Sequence, residues 1–193
     1  AGQIETISMR HAPRALPGSA LSQHLIDTIN TTNGLTVLVH NKKGYAAYVM
    51  CAECGFIPQC PQCWLPFSLA SELGNILRCS NCRQTKLLED ACGQCQGKRF
   101  KRVGMGTAKI LENLREIFPT KKIIDFSGDL TTIEKKDIIN DGAAGRVDIL
   151  MSSSASLNHL TDTPLCLIGI ISAEAFFSIP EYNAGEKLWQ VIL

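Results

Sequence analysis

No stretch of this sequence approaches the roughly 20 consecutive apolar residues that a membrane-spanning helix needs. Its opening, Ala1-Gly2-Gln3-Ile4, has no basic region followed by an apolar run, so nothing marks it for export and a cytoplasmic setting is expected. An excess of one charge is missing too. Lys and Arg number 19 against 18 Asp and Glu, for a net charge of +1 and a pI near 7.7. That balance excludes bulk attraction to nucleic acid or an acidic membrane, so any nucleic-acid contact must be local. Familiar catalytic signatures are absent as well. There is no G-x4-G-K-[ST] loop. Gly104-Met105-Gly106-Thr107-Ala108-Lys109 places glycines before a helix but lacks the ending that holds phosphate and magnesium. H-E-x-x-H and G-x-S-x-G do not occur. His11, His24, His40 and His159 are scattered and read as surface or packing residues.

What is abundant is cysteine, and it is clustered. Cys51/Cys54, Cys60/Cys63, Cys79/Cys82 and Cys92/Cys95 form four C-x2-C pairs, while Cys166 stands alone. A reducing compartment keeps thiols free, so this clustering favours metal over disulfides or a thiol redox pair. Two intervening residues let a tight turn aim both sulfurs at one ion, and Gly55 and Gly93 supply backbone freedom for such turns. A tetrahedral ion takes two turns. The second and third pairs are separated by Trp64 to Arg78, a loop of the length common in four-cysteine zinc sites, which leaves the first pair to join the fourth. Joining the first pair to the second would leave only Gly55 to Gln59 between the turns. The expected ligand sets are therefore Cys51, Cys54, Cys92 and Cys95 for one zinc, and Cys60, Cys63, Cys79 and Cys82 for the other.

Four thiolates fill the coordination sphere, so each site is expected to be structural rather than catalytic. Such binding supplies on the order of 10–16 kcal/mol, enough to order a segment poor in large apolar side chains. Iron can take the place of zinc in a given preparation. Cys166, inside the apolar run Leu165 to Ile171, reads as a buried, inert thiol.

The flanks read as alternating strands and helices. Strands are expected over Ile4–Met9, Thr36–His40, Lys122–Phe126, Val147–Met151 and Leu165–Ile171. Helices are expected over Ser22–Asn30, from a Thr107 cap to Phe118, over Thr131–Asn140 and over Tyr182–Leu193. Continuously apolar strands argue an α/β fold with a mostly parallel sheet covered on both faces. The cysteine segment, from about Tyr48 to Arg102, interrupts it. This segment carries seven Lys/Arg against four Asp/Glu, and two tetrathiolate zinc sites at about −2 each would bring its total near −1. Within it, Lys98, Arg99, Lys101 and Arg102 form a local basic run suited to phosphate, with Trp64 and Phe67 as candidate stacking aromatics. A solvated charge run beside a small core is the plainer reading. The chain reads as a piece of a longer protein: it does not begin with Met, and Leu188 to Leu193 is an apolar run without a helix stop.

Asn41-Lys42-Lys43-Gly44-Tyr45, the four cysteine pairs, Gly104-Met105-Gly106-Thr107 and Phe118-Pro119 occur in an order that resembles the PriA family of bacterial primosomal proteins. Ile179 to Lys187 resembles that family's L-P-D-F-R-A-G-E-R segment. The resemblance implies the second RecA-like lobe of an ATP-dependent 3′ to 5′ DNA helicase that reloads the replication machinery at stalled forks. It implies the same nested zinc pairing in a module inserted into that lobe, spanning 48–102 between lobe segments 1–47 and 103–193. Partners would be forked or single-stranded DNA and other primosome and restart proteins, with ATP and Mg2+ used only by the complete protein. No ATPase activity is expected from this piece, which lacks the P-loop lobe and stops before the arginine-rich motif. Ser152 to His159 replaces the family's G-T-Q-M-x-x-K-G motif, Asp125 to Asp129 its R-x-D-x-D run, and Ser172 and Glu174 an acidic pair. These departures keep a second class open, a degenerate, non-catalytic zinc module that binds DNA or protein.

Overall fold

A computed structural model describes residues 3–41, 48–70, 74–127, 130–160 and 162–173. In chain order the elements are α1 (Gln23–Thr31), β1 (Thr36–Val39), β2 (Tyr48–Cys51), β3 (Ser68–Leu69), β4 (Ile76–Arg78), β5 (Thr85–Leu87), β6 (Phe100–Val103), α2 (Thr107–Ile117), β7 (Ile123–Asp125), α3 (Thr132–Ala143), β8 (Ile149–Ser152), α4 (Ser154–Leu157) and β9 (Leu167–Ile170). The chain divides into two compact units, one formed by residues 1–41 with 111–193 and the other by residues 42–110. The boundary falls inside α2.

The first unit is a mixed α/β layer. Its sheet has the order β7-β8-β1-β9, and every pairing is parallel. All four residues of β1 are buried, as a central parallel strand with two covered faces requires. Val37 and Val39 point to one face, where Leu35, Phe126, Val147, Leu150 and Leu160 join them and Ile138, Ile139 and Leu157 pack from α3 and α4. Leu38 points to the other face. There a Cβ added at Gly169 would fall 2.7 Å from Leu38 Cδ2 and 3.2 Å from Leu25 Cδ1, so the bare backbone of β9 is what lets α1 lie this close. Helix α1 starts where Ser22 accepts from the Leu25 N–H, and it buries Ile26 and Ile29.

Three expectations outside the cysteine segment change. Residues 4–9 form no strand: Ile4 is 68% exposed and the segment has no ladder partner among the described residues. The turn that follows is held by the Arg14 guanidinium, which donates to the Ser19 and Met9 carbonyls. Thr107 is the first helical residue of α2 rather than a residue outside it, and Gly106 O accepts from Ile110 N. Cys166 is exposed; it lies just before β9, the outermost strand of the sheet among the described residues. Its sulfur rests against Gly34, and its N–H donates to Leu35 O. The expected helix over 182–193 lies outside the described residues.

The second unit holds the eight paired cysteines. Strands β2 and β6 pair antiparallel, from Tyr48 facing Val103 to Cys51 facing Phe100. Strands β3, β4 and β5 form a small antiparallel sheet. The core combines Val49, Phe67, Leu69 and Leu77 with the sulfur-bearing Cys60 and Cys79, and Phe100 and Leu88 pack against it. Phe67 is thus 2% exposed and unable to stack on a base, so of the two readings the sequence left open it takes the small-core one. No described helix is long and apolar enough to cross a membrane.

Candidate metal centres

All four C-x2-C pairs fold into the same turn. The first cysteine of each accepts at its carbonyl from the residue after the second cysteine: Gly55 to Cys51 at 3.1 Å, Trp64 to Cys60 at 2.8 Å, Arg83 to Cys79 at 3.2 Å and Gln96 to Cys92 at 2.8 Å. Its own N–H donates one residue further on, to the carbonyls of Phe56, Leu65, Gln84 and Gly97 at 2.8–2.9 Å. The residue after the second cysteine takes positive φ in every case, +79° at Gly55, 58° at Trp64, 62° at Arg83 and 61° at Gln96. Gly55 therefore plays the part its sequence position suggests. Gly93 does not, since its φ is not positive and the left-handed residue of that turn is Gln96.

The turns meet in two groups, Cys51/Cys54 with Cys92/Cys95 and Cys60/Cys63 with Cys79/Cys82, the sulfurs of each lying within 4.8 Å of one another. The outer group has Sγ–Sγ separations of 3.7 Å for Cys51–Cys95 and for Cys54–Cys92, and the inner group has 3.5 Å for Cys60–Cys82. Tetrahedral coordination with metal–sulfur bonds of about 2.3 Å places sulfurs about 3.8 Å apart, so both groups fit a dication. Backbone N–H groups already point at the sulfurs, with Glu53 donating to Cys51 and Gln94 to Cys92 at 3.4 Å each.

The thiols of each group perturb one another. Backbone N–H groups of Cys54 and then Glu53 draw the Cys51 thiol down to about 7. At Cys82 the Gln84 N–H is the largest single influence and lowers the pKa, yet desolvation and the Cys60, Cys63 and Cys79 sulfurs together push it up to about 12. Cys95 is likewise held down by the Gly97 N–H and driven up to about 12 by Cys54, desolvation, Cys51 and Cys92. Four thiols this close do not ionise together unless a positive ion replaces their protons.

The basic run is exposed at Lys98, Arg99, Lys101 and Arg102. Arg99 Nε stands 3.6 Å from Glu53 Oε1 with its side chain 79% exposed. Because strand residues alternate faces, Lys101 and Arg102 project from opposite sides of the β2–β6 ribbon, so the run is not one flat patch. Trp64 is 75% exposed on an inner-group turn. Among the family's altered motif positions, Ser152 ends β8, Ser153 hydroxyl meets Ser156 hydroxyl at 3.0 Å, and the Ser154 N–H donates to Asn41 Oδ1. Asp125 Oδ1 accepts from the Ser127 backbone and hydroxyl. Residues 128, 129 and 174 lie outside the described set.

No protein-family model matches the chain. It does align along 98% of its length with the replication restart protein PriA of Bacillus subtilis, at 27% identity over 195 residues. The chain is related to a segment of PriA. The PriA of Haemophilus influenzae is 29% identical over 162 residues, 81% of the chain, and that of Thermotoga maritima 23% identical over 98% of the chain. The alignments cover 24%, 22% and 26% of these PriA proteins, so the chain spans about a quarter of the length of the curated relatives it matches.

Proposed function

We propose that this chain is the second RecA-like lobe of a PriA-like, ATP-dependent DNA helicase of replication restart, with two structural zinc ions in an inserted module at about residues 48–102. The observation that carries this reading is the pair of nested four-cysteine groups within a parallel α/β chain aligned with PriA over nearly its whole length. Cys51, Cys54, Cys92 and Cys95 hold the first zinc and Cys60, Cys63, Cys79 and Cys82 the second. Tetrathiolate coordination leaves no open position, so the ions order the fold and supply no reaction chemistry. Lys98, Arg99, Lys101, Arg102 and Trp64 engage forked or single-stranded DNA. An exposed pair such as Arg99–Glu53 is weak enough to leave the guanidinium open to phosphate. ATP, Mg2+, 3′ to 5′ unwinding and the other restart proteins belong to the complete protein, working in the cytoplasm.

Metal analysis of purified chain should return two zinc per chain, and a value near zero in reduced protein overturns the scaffold. DNA affinity should fall steeply with salt. Reversing the charges at Lys98, Arg99, Lys101 and Arg102 should abolish most of it, while unchanged affinity would show the run to be merely solvated.

The altered motifs favour a second reading, a zinc module that binds DNA or protein without hydrolysis. Ser152 to His159 lacks the glycine, glutamine and lysine of the family pattern. An intact P-loop and arginine motif elsewhere in the parent gene would decide for the motor.

A further inference from the structure

Although the four turns share one backbone, the two cysteine groups differ in what surrounds them. Gln84 and Gly97 occupy equivalent places, two residues beyond Cys82 and Cys95, and each accepts from the first cysteine of its turn at 2.8 Å. Gln84 carries a side chain that crosses to the opposite turn, where its amide lies 3.4 Å from Cys60 Sγ. In this arrangement the Cys60 thiol donates to Gln84 Oε1. A metal-bound thiolate has no proton to give, and a half-turn of the isosteric amide presents N–H instead. Asn81 Nδ2 already donates to Cys63 Sγ at 3.3 Å across the same group.

Gly97 has no side chain, and the space a Cβ would take there is filled by a carboxylate: Glu53 Oε2 lies 2.5 Å from that position. The inner group thus has two side-chain amides against its sulfurs, while the outer group, whose Cys51 and Cys92 sulfurs accept backbone N–H groups, has the Glu53 carboxylate beside its turn at Gly97, partly offset by exposed Arg99. A dication held by four thiolates leaves a net charge of about −2, which N–H donors stabilise and a carboxylate opposes. Packing works in the same direction. Cys60 and Cys79 belong to the core with Val49, Phe67, Leu69 and Leu77; the first cysteine of every turn is buried and Cys82 and Cys95 are both exposed, so the groups differ in burial at one position, half-buried Cys63 against exposed Cys54.

We propose that the two metal sites are inequivalent: the inner group retains its ion while the outer group releases and regains its own first, with Gln84 and Glu53 as the residues that set the order. This rests on the two-metal reading above. The test starts from full chain shown by metal analysis to carry two zinc, mixed with excess chromogenic chelator. Iodoacetamide quenching and peptide mass spectrometry then report which cysteines open. Two phases are expected, the first releasing one zinc and exposing Cys51, Cys54, Cys92 and Cys95. Glu53→Gln should slow that first phase several-fold, and Gln84→Glu should speed the second by about tenfold or more. In cobalt-loaded protein, Gln84→Glu should move the sulfur-to-metal charge-transfer band to longer wavelength, which a merely space-filling glutamine would not do. A single phase, earlier alkylation of the inner cysteines, or rates and spectra unmoved by both variants would each overturn the inference. Protein purified without metal would instead overturn the two-metal reading itself.

Discussion

Trp64, Arg83 and Gln96 hold a left-handed backbone that costs an ordinary L-residue roughly 1–2 kcal/mol, and they hold it because the hydrogen bonds of the cysteine turn leave no other conformation. Gln96→Gly should therefore raise the stability of metal-loaded protein by up to about 1 kcal/mol in denaturant unfolding, part of the relieved strain being lost to the freer unfolded chain. Gln96→Val, with its branched Cβ, should lower it by about 1–2 kcal/mol. Equal stability of the two variants would mean the turn relaxes to another conformation. The cysteine groups themselves were legible because C-x2-C spacing reports directly on ligand geometry. The left-handed residues were legible only at Gly55, since glycine is the one residue that advertises positive φ; a tryptophan or glutamine there is set by contacts the spacing does not encode. Cys166 misled for a similar reason. Its neighbours are apolar, but it precedes the strand that is outermost among the described residues, and its exposure follows from that place rather than from the run.

Helix α3 shows how far an element can be read from a few side chains. Thr131 accepts from the Glu134 N–H, and the Glu134 carboxylate accepts in return from the Thr131 N–H and hydroxyl, a reciprocal cap. Thr131→Ala should cost on the order of 1 kcal/mol by thermal or chemical unfolding. These bonds from the Thr131 side chain and backbone hold the Glu134 pKa below the usual carboxylate range. A depressed folded value means the stabilisation is fully present above the unfolded pKa of about 4.3 and fades as pH falls through the lower folded value. Glu134→Gln should remove that portion of the acid limb and leave stability at pH 7 to 8 less dependent on the carboxylate; an unchanged acid limb would contradict the cap. The Thr-x-x-Glu pattern made the start of this helix readable. By contrast, the apolar spacing over 4–9 fits a strand locally, but strand formation needs a neighbour with free backbone groups, and that information lies elsewhere in the chain.

The whole molecule rests on two kinds of core. One, gathered about β1, is built of hydrocarbon side chains including Phe126, and the other counts Cys60 and Cys79 among its buried members. Chelation with a strong zinc binder should consequently melt residues 48–103 while the parallel sheet persists, visible as loss of amide protection confined to that segment. Loss of protection in β1, β8 and β9 as well would show that the sheet depends on the metal. The α/β class was readable from continuously apolar strands, whereas strand order was not, because side-chain pattern carries burial but no partner identity.

That order has a cost in time. Thr36 to Val39 pairs with Ile149 to Ser152 on one side and Leu167 to Ile170 on the other, over a hundred residues downstream. At ribosomal speeds of about 5–20 residues per second, the apolar β1 waits for roughly 5–20 s before either neighbour exists. All four cysteine turns emerge within that interval, so the nascent chain can complete its metal-bound segment while its central strand is still unpaired and open to aggregation or chaperone capture.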